Sequence, residues 1–252
     1  MVDKSYGQQL CEALKPLKIR WRCASSIDIG YDEDTVRLMA EAGCESVFIG
    51  FESINSGSLE ESSKHQNQSN DYKKLIKVFH KYGIMINASF VFGFDHDDTN
   101  VFEATVKFAI EAKLASINFH IVTPFPGTPL FQRLQTEGRI LHYDWNKYDT
   151  AHAVFQPTLM SPEELEEGYR RVYNEFYSWS SILKRMPAKF TQKPRFLAFN
   201  LGLKKINPLW DFMIKLNILA PAFKLYHACD RILWEMGRKI LMANPLHKVI
   251  NC

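Results

Sequence analysis

The front of the chain alternates strand and helix signals with short connections, and that alternation constrains the fold more than any other feature. Residues 19–29 are β-rich and extended, and Asp32 or Asp34 then caps a helix whose Val36, Met39 and Ala40 form one face, ended by Gly43. Residues 45–50 read as a short buried strand. After a polar loop, Tyr72, Leu75, Ile76 and Phe79 recur at helical spacing up to Gly83. Residues 84–92 are the next strand, followed by a helix with Asp98 or Thr99 as cap and Val101, Phe102, Thr105, Phe108 and Ala109 facing inward. Residues 117–122 are the fourth strand. Thr128 then caps a helix with Pro129 at its first position and Leu130, Phe131 and Leu134 on its inner side, and Gly138 ends it. Units of this kind give parallel strands joined by crossover helices, an α/β fold. Pattern alone leaves a doubly wound sheet and a barrel open. Both place functional groups at the carboxyl ends of the strands.

A second region begins near residue 141. Tyr143, Trp145, Tyr148, His152 and Phe155 lead into Ser161-Pro162-Glu163-Glu164, where a serine cap, a first-position proline and a glutamate three residues on mark a helix start. That helix carries Leu165, Tyr169, Val172, Tyr173, Phe176 and Tyr177, a stripe read as core packing. The expected domains are a partial barrel over 1–140, a small, largely helical domain over 141–187 and a basic helical tail over 188–252. Charge marks the last boundary: residues 1–181 carry 18 basic and 25 acidic side chains, whereas residues 182–252 carry 13 basic and 3 acidic. Residues 195–252 mix aromatic and aliphatic side chains with Lys and Arg, which fits a peripheral membrane contact or a helical appendage with a solvated basic face. Nucleic-acid binding ranks third, because no recognised binding module accompanies the charge. No apolar run is long enough to span a membrane and the first residues show no secretory signal, so a cytoplasmic location is expected.

The five cysteines are scattered and odd in number, which argues against a disulfide framework and against a zinc site built from cysteines alone. The strand ends are where chemistry is expected. The first delivers Ser25, Ser26 and Asp28, and the second ends Gly50-Phe51-Glu52-Ser53, with a carboxylate just past a glycine. The third runs Asn87-Ala88-Ser89-Phe90-Val91-Phe92-Gly93 into the acidic loop Asp95-His96-Asp97-Asp98, and the fourth ends in the rigid turn Thr123-Pro124-Phe125-Pro126-Gly127-Thr128-Pro129. Glu52 with polar neighbours could grip a ribose or an amine; the plainer reading is a helix cap or surface charge. The aspartates at 95–98 read as caps rather than metal ligands, since successive residues of an extended segment point opposite ways.

Taken together these stretches are more specific. Glu41 through Ser53, Gly83 through Asp95, Pro124 through Leu130 and Glu137-Gly138-Arg139 resemble, in order, the radical S-adenosylmethionine (SAM) superfamily, and within it the cobalamin-associated class. The resemblance covers about residues 5–180. It implies an incomplete (β/α)6 barrel whose strands correspond to the third to sixth, followed by a mainly helical region. Glu52 then matches a residue that hydrogen-bonds the SAM ribose, and Lys64 falls where relatives carry a cation for the SAM carboxylate. Ser89, with Asn87 on the same strand, matches a second ribose contact. Phe92-Gly93-Phe94 and the turn from Thr123 and Pro124 to Pro126 resemble the segments lining the adenine. The implied cofactors are SAM, a [4Fe–4S] cluster and, in full-length members, cobalamin.

One departure matters. The C-x-x-x-C-x-x-C motif that holds the cluster in the superfamily does not occur in these 252 residues. The resemblance places the cluster loop, the first two strands and any cobalamin domain upstream of Met1. The chain is therefore expected to be a carboxyl-terminal portion of a radical SAM enzyme acting on a small-molecule or lipid substrate by methyl transfer or rearrangement, inactive alone. It would be completed by a missing amino-terminal half from the same gene or from a separate subunit. The rival expectations are a subunit of a split enzyme and a non-catalytic module using the basic tail on membranes.

Overall fold

In the computed structural model, the structure describes residues 4–61 and 71–202. The chain divides into two compact units, 1–204 and 205–252; both the barrel stretch and residues 141–187 fall in the first, and the second lies outside the described residues. Most of the basic tail read as a membrane contact therefore lies outside them too. No described helix is long and apolar enough to cross a membrane.

Four parallel strands form one sheet in sequence order: β1 (Trp21–Ala24), β2 (Cys44–Glu52), β3 (Met85–Phe92) and β4 (Ser116–Ile121). The helix α1 (Lys4–Leu14) precedes β1; α2 (Glu33–Glu41), α3 (Ser56–Glu61), α4 (Tyr72–Tyr82) and α5 (Asn100–Glu111) lie in the connections between strands; and α6 (Pro129–Thr136), α7 (Pro162–Phe176) and α8 (Trp179–Arg185) follow β4. The α/β architecture read from the sequence is the one observed. The first strand is shorter than residues 19–29, because the chain leaves it at Ala24 and coils into a 3-10 turn over Ile27–Tyr31. That turn buries Ile27 and packs Gly30 against Leu75 of α4.

Alternation along the strands sends one set of side chains to the helices. Val47, Ile49 and Phe51 of β2, Ile86, Ala88, Phe90 and Phe92 of β3, and Ile117, Phe119 and Ile121 of β4 are all buried in one core. Phe51 stacks on Phe90 at 5.4 Å between ring centroids and meets Tyr72 of α4 edge-on at 4.8 Å. Each such ring contributes about 2–3 kcal/mol by leaving water. The caps read from the sequence are present: the Asp32 side chain accepts from Thr35 N, Thr128 Oγ1 from Phe131 N, and Ser161 and Glu164 form a reciprocal capping box.

The aromatic stripe of α7 does more than fill the core. The Tyr177 hydroxyl accepts from Ile117 N and donates to Ile117 O, and the Tyr173 hydroxyl does the same with Phe119 N and Phe119 O. Two phenols one helical turn apart thus satisfy the outward backbone groups of Ile117 and Phe119, so this part of the sheet edge is sealed as another strand would seal it. Close approach of α7 is possible because position 168 is glycine: a Cβ there would come within 2.2 Å of the Phe102 ring on α5.

Candidate functional site

The second face of the sheet carries Ala24 of β1, Phe48 and Gly50 of β2, Asn87, Ser89 and Val91 of β3, and Ser116, Asn118 and His120 of β4. Ala24, Phe48 and Asn118 are exposed, Phe48 by 39%, although it lies mid-strand in the longest strand. Register aligns Gly50 with Ser89 and Ser89 with Asn118, forming a polar row across three strands.

Glu52 ends β2 at an irregularity in that register. Its pairing shifts between Gly50 and Glu52, and its backbone is left-handed at φ 64°. A non-glycine residue in that region costs about 1–3 kcal/mol and persists only where the surroundings impose it. Gly50 makes the turn possible, since a Cβ there would meet Glu52 Oε1 at 2.5 Å. Ser89 is buried beside this point, whereas Asn87 is one row lower and its Oδ1 accepts from Ser116 Oγ at 2.7 Å. The structure thus brings Glu52 and Ser89 together at one strand end and ties Asn87 to β4. Lys64 lies outside the described residues.

The loops above the strands are held by two carboxylates that the sequence offered only as caps. Asp97 is buried, and accepts from Ser58 Oγ at 2.6 Å, Gly93 N at 3.0 Å and Phe94 N at 3.1 Å. Burial raises its pKa to about 6 against the pull of those donors. Asp95 accepts from Arg133, Arg139 and Thr158, and Arg133 also reaches Glu61. Burial opposes ionisation of Asp95, but the hydrogen bonds from Arg139, Arg133 and Thr158 outweigh it and hold the carboxyl well below its usual range. Asp98 accepts from Asn100 N at the start of α5. These bonds brace the loops after β2, β3 and β4 against one another.

Phe92 turns its ring into the core, stacked on Phe119 and against Phe102, so its contribution at the strand end is limited to backbone. Gly93 sits at φ 97° beneath Leu165 and Phe155, where a Cβ would come within 2.9 Å of Leu165 Cδ2. Pro124 is buried, and Thr123, half-buried, donates to Ile121 O at 3.0 Å.

His120 and Thr150 escaped the sequence reading. His120 Nδ1 is 3.1 Å from Thr150 Oγ1, and Thr150 O accepts from Ile121 N at 2.7 Å. Thr150 has φ 66°, an outlier for a β-branched residue. Burial lowers the His120 pKa, and the nearby Glu52 charge opposes that shift. The alternation of β4 could have indicated His120; nothing in the sequence indicates Thr150.

The residues present do not fit an iron–sulfur cluster. Cys11, Cys23 and Cys44 approach one another from α1, β1 and β2: Cys44 and Cys23 share a hydrogen bond and Cys11 and Cys44 are buried. Among the described residues no group of three or more His, Cys, Asp or Glu side chains could hold a metal ion. Glu52 and Ser89 do fit a ribose, being a hydroxyl and a carboxylate at one strand end.

Residues 128–240 match a family model described as a domain of unknown function, DUF4070. The chain is 35% identical over 81% of its length to bacteriochlorophyllide d C-12(1)-methyltransferase of Chlorobaculum tepidum, of which it covers 44%. It is 25% identical over 64% of its length to the anaerobic magnesium-protoporphyrin IX monomethyl ester cyclase of Cereibacter sphaeroides, of which it covers 26%. The chain thus spans less than half the length of these curated relatives. In fold it is similar to the radical SAM methyltransferase TsrM of Kitasatospora setae solved with tryptophan and a SAM analogue, with a TM-score of 0.52 at 15% identity, over 84% of this chain and 51% of that one. The parallel sheet with its crossover helices and these similarities accord with the resemblance, read from the ordered strand-end motifs, to the radical SAM superfamily and its cobalamin-associated class.

Proposed function

We propose that this chain forms the ribose- and adenine-facing wall of a SAM site, and part of the substrate wall beside it, in an enzyme that methylates or cyclises a tetrapyrrole. The observation that carries the reading is Glu52, held in a left-handed backbone at the carboxyl end of β2 beside Ser89. Such strain at a strand end is the mark of a residue kept for its side chain. The Glu52 carboxylate accepts from ribose hydroxyls and Ser89 supplies a second polar contact. Thr123 and Pro124 border the base, with Gly93 held in place by Asp97 rather than binding directly. When bound, SAM supplies a methyl or a 5′-deoxyadenosyl group. No step is assigned to a cluster or to cobalamin, for which these residues offer no ligands.

The tetrapyrrole assignment follows the relatives named above, one acting on a bacteriochlorophyllide and one on magnesium-protoporphyrin IX monomethyl ester. The exposed second face of the sheet, with Phe48 in its middle, supports a further reading. In it, another half of the barrel, from the same gene or a separate subunit, covers this face, and the chain does not turn over alone. Equilibrium dialysis of radiolabelled SAM tests the site: Glu52→Gln is expected to weaken binding about tenfold or more, the cost of about 1.4 kcal/mol. Equal SAM binding by both chains would refute it. Co-purification of the tagged chain from its native cells tests the second reading, with recovery of the chain alone as the contrary result.

A further inference from the structure

At the amino end of the strands, opposite the end that carries Glu52, a cavity of about 240 Å³ opens between the end of α4, the end of α8, the start of β3 and the residues before β4. Its floor is apolar, formed by Ile84, Met85, Ala115 and Phe196, all buried. Its ionisable side chains are His80, Lys113, Arg185 and Lys189, and no carboxylate lines it.

These groups lack partners of opposite charge. Arg185 is 1% exposed, and a cation buried to that degree ordinarily meets a carboxylate. Its hydrogen bonds go instead to backbone carbonyls, Ser181 Oγ and Asn200 Oδ1, so the charge is solvated but not neutralised. Among the described residues, the side chains of His80, Lys113 and Lys189 make no hydrogen bond or ion pair. Lys189 Nζ rests where a Cβ at position 83 would sit, so glycine there leaves room for the ammonium. Gln192 Nε2 donates to Gly83 O and holds this segment against the end of α4. Burial and the Lys113 charge both push the His80 pKa down, as expected of an imidazole beside an uncompensated cation.

Part of this positive charge answers the helix ends. The chain leaves α4, α5 and α8 beside the cavity, and each carboxyl terminus carries about half a negative charge. Three ends supply about one and a half negative charges against the fixed cations Lys113, Arg185 and Lys189. About as much positive charge is left over before His80 is counted. The remainder suits an anion. Ammonium groups meet anions as point charges, and a tetrahedral oxyanion offers an oxygen to each of several separate donors, whereas a carboxylate offers two.

We propose that this cavity binds a phosphate group, with Lys113 and Lys189 as ammonium contacts, His80 as an imidazole contact and the Arg185 charge behind them. The site is separate from Glu52 and Ser89 and does not depend on the reading of those residues.

The test follows the His80 ring resonances of the full chain by NMR as inorganic phosphate is added at constant ionic strength. A saturable shift is expected, absent with chloride alone. The Lys113→Asn, Lys189→Ser double variant should bind phosphate about tenfold or more weakly. Both side chains are exposed, and asparagine tolerates the left-handed backbone of position 113, at φ 53°, so the variant keeps its fold. A linear, non-saturating response, or equal affinity in the two chains, would overturn the proposal. A short-chain phosphatidic acid below its micelle concentration separates two sources of the group. Tighter binding than inorganic phosphate assigns a lipid headgroup, and equal or weaker binding assigns a free phosphate.

Discussion

The Tyr177 hydroxyl accepts from Ile117 N at 3.0 Å and donates to Ile117 O at 2.8 Å, so one phenol at the carboxyl-terminal cap of α7 closes both outward backbone groups of an edge-strand residue. Burial pushes this phenol above its ordinary range, so it stays protonated and able to donate at every pH where the protein is handled. Tyr177→Phe leaves a buried N–H and C=O without that partner, at a cost of about 1–3 kcal/mol. Urea denaturation should show a lower midpoint with an unchanged slope, and hydrogen exchange should accelerate at Ile117. An unaltered midpoint would mean that the edge does not depend on this contact.

Gly168 governs how closely the same helix approaches. Gly168→Ala removes the helix penalty of glycine, a gain of up to about 1 kcal/mol, but forces a methyl into Phe102. Overpacking of this kind costs about 1–3 kcal/mol, so a net loss is expected. Thermal melting gives the sign, and a raised melting temperature would contradict the close packing of α7 on α5.

Arg185 is a buried cation held by backbone. Its guanidinium donates to Leu114 O, Ala115 O, Phe176 O and Asn200 Oδ1, its Nε donates to Ser181 Oγ, and it lies 3.6 Å from the centroid of the Phe176 ring. Burial lowers its pKa to about 10, which still leaves it charged at neutral pH. Arg185→Ala strands several acceptors and should cost about 3–5 kcal/mol. Arg185→Lys, with a point charge in place of a planar fork, should recover only part of that loss in chemical denaturation.

Asp97 sets a pH dependence whose sign can be worked out. Its carboxyl has a folded-state pKa of about 6, above the ordinary value, because burial outweighs the hydrogen bonds it accepts. The native state therefore holds a proton that the unfolded chain has released. Its stabilising contribution is complete below about pH 4 and is lost as pH rises toward 6, a span of about 3 kcal/mol at most. Asp97→Asn should flatten the stability profile across that window. A profile as steep as that of the unaltered chain would assign the slope to other groups.

Much of the fold is legible in the sequence because it depends on near neighbours. The Ser161–Glu164 capping box, the Thr128–Pro129 helix start and the Tyr72, Leu75, Ile76, Phe79 face all follow from spacings of three and four residues. Glu52 was legible as a strand-end carboxylate, though not its left-handed backbone, which arises from a register shift against β3. The Phe92 ring was read with the adenine segment and instead packs in the core, since strand alternation fixes its side to that of Phe90.

The sequence by itself determined the strand–helix order, the caps and the family resemblance, because each is carried by local spacing or by motifs in series. Only the tertiary structure decided that Tyr173 and Tyr177 seal the edge of β4, that Asp97 reaches back to Ser58, and that Thr150 fixes His120 on the open face. These pairs lie 30 to 60 residues apart in the chain. No local pattern encodes them; they form when the packing of apolar faces brings distant polar groups to where an unmet hydrogen bond would be costly.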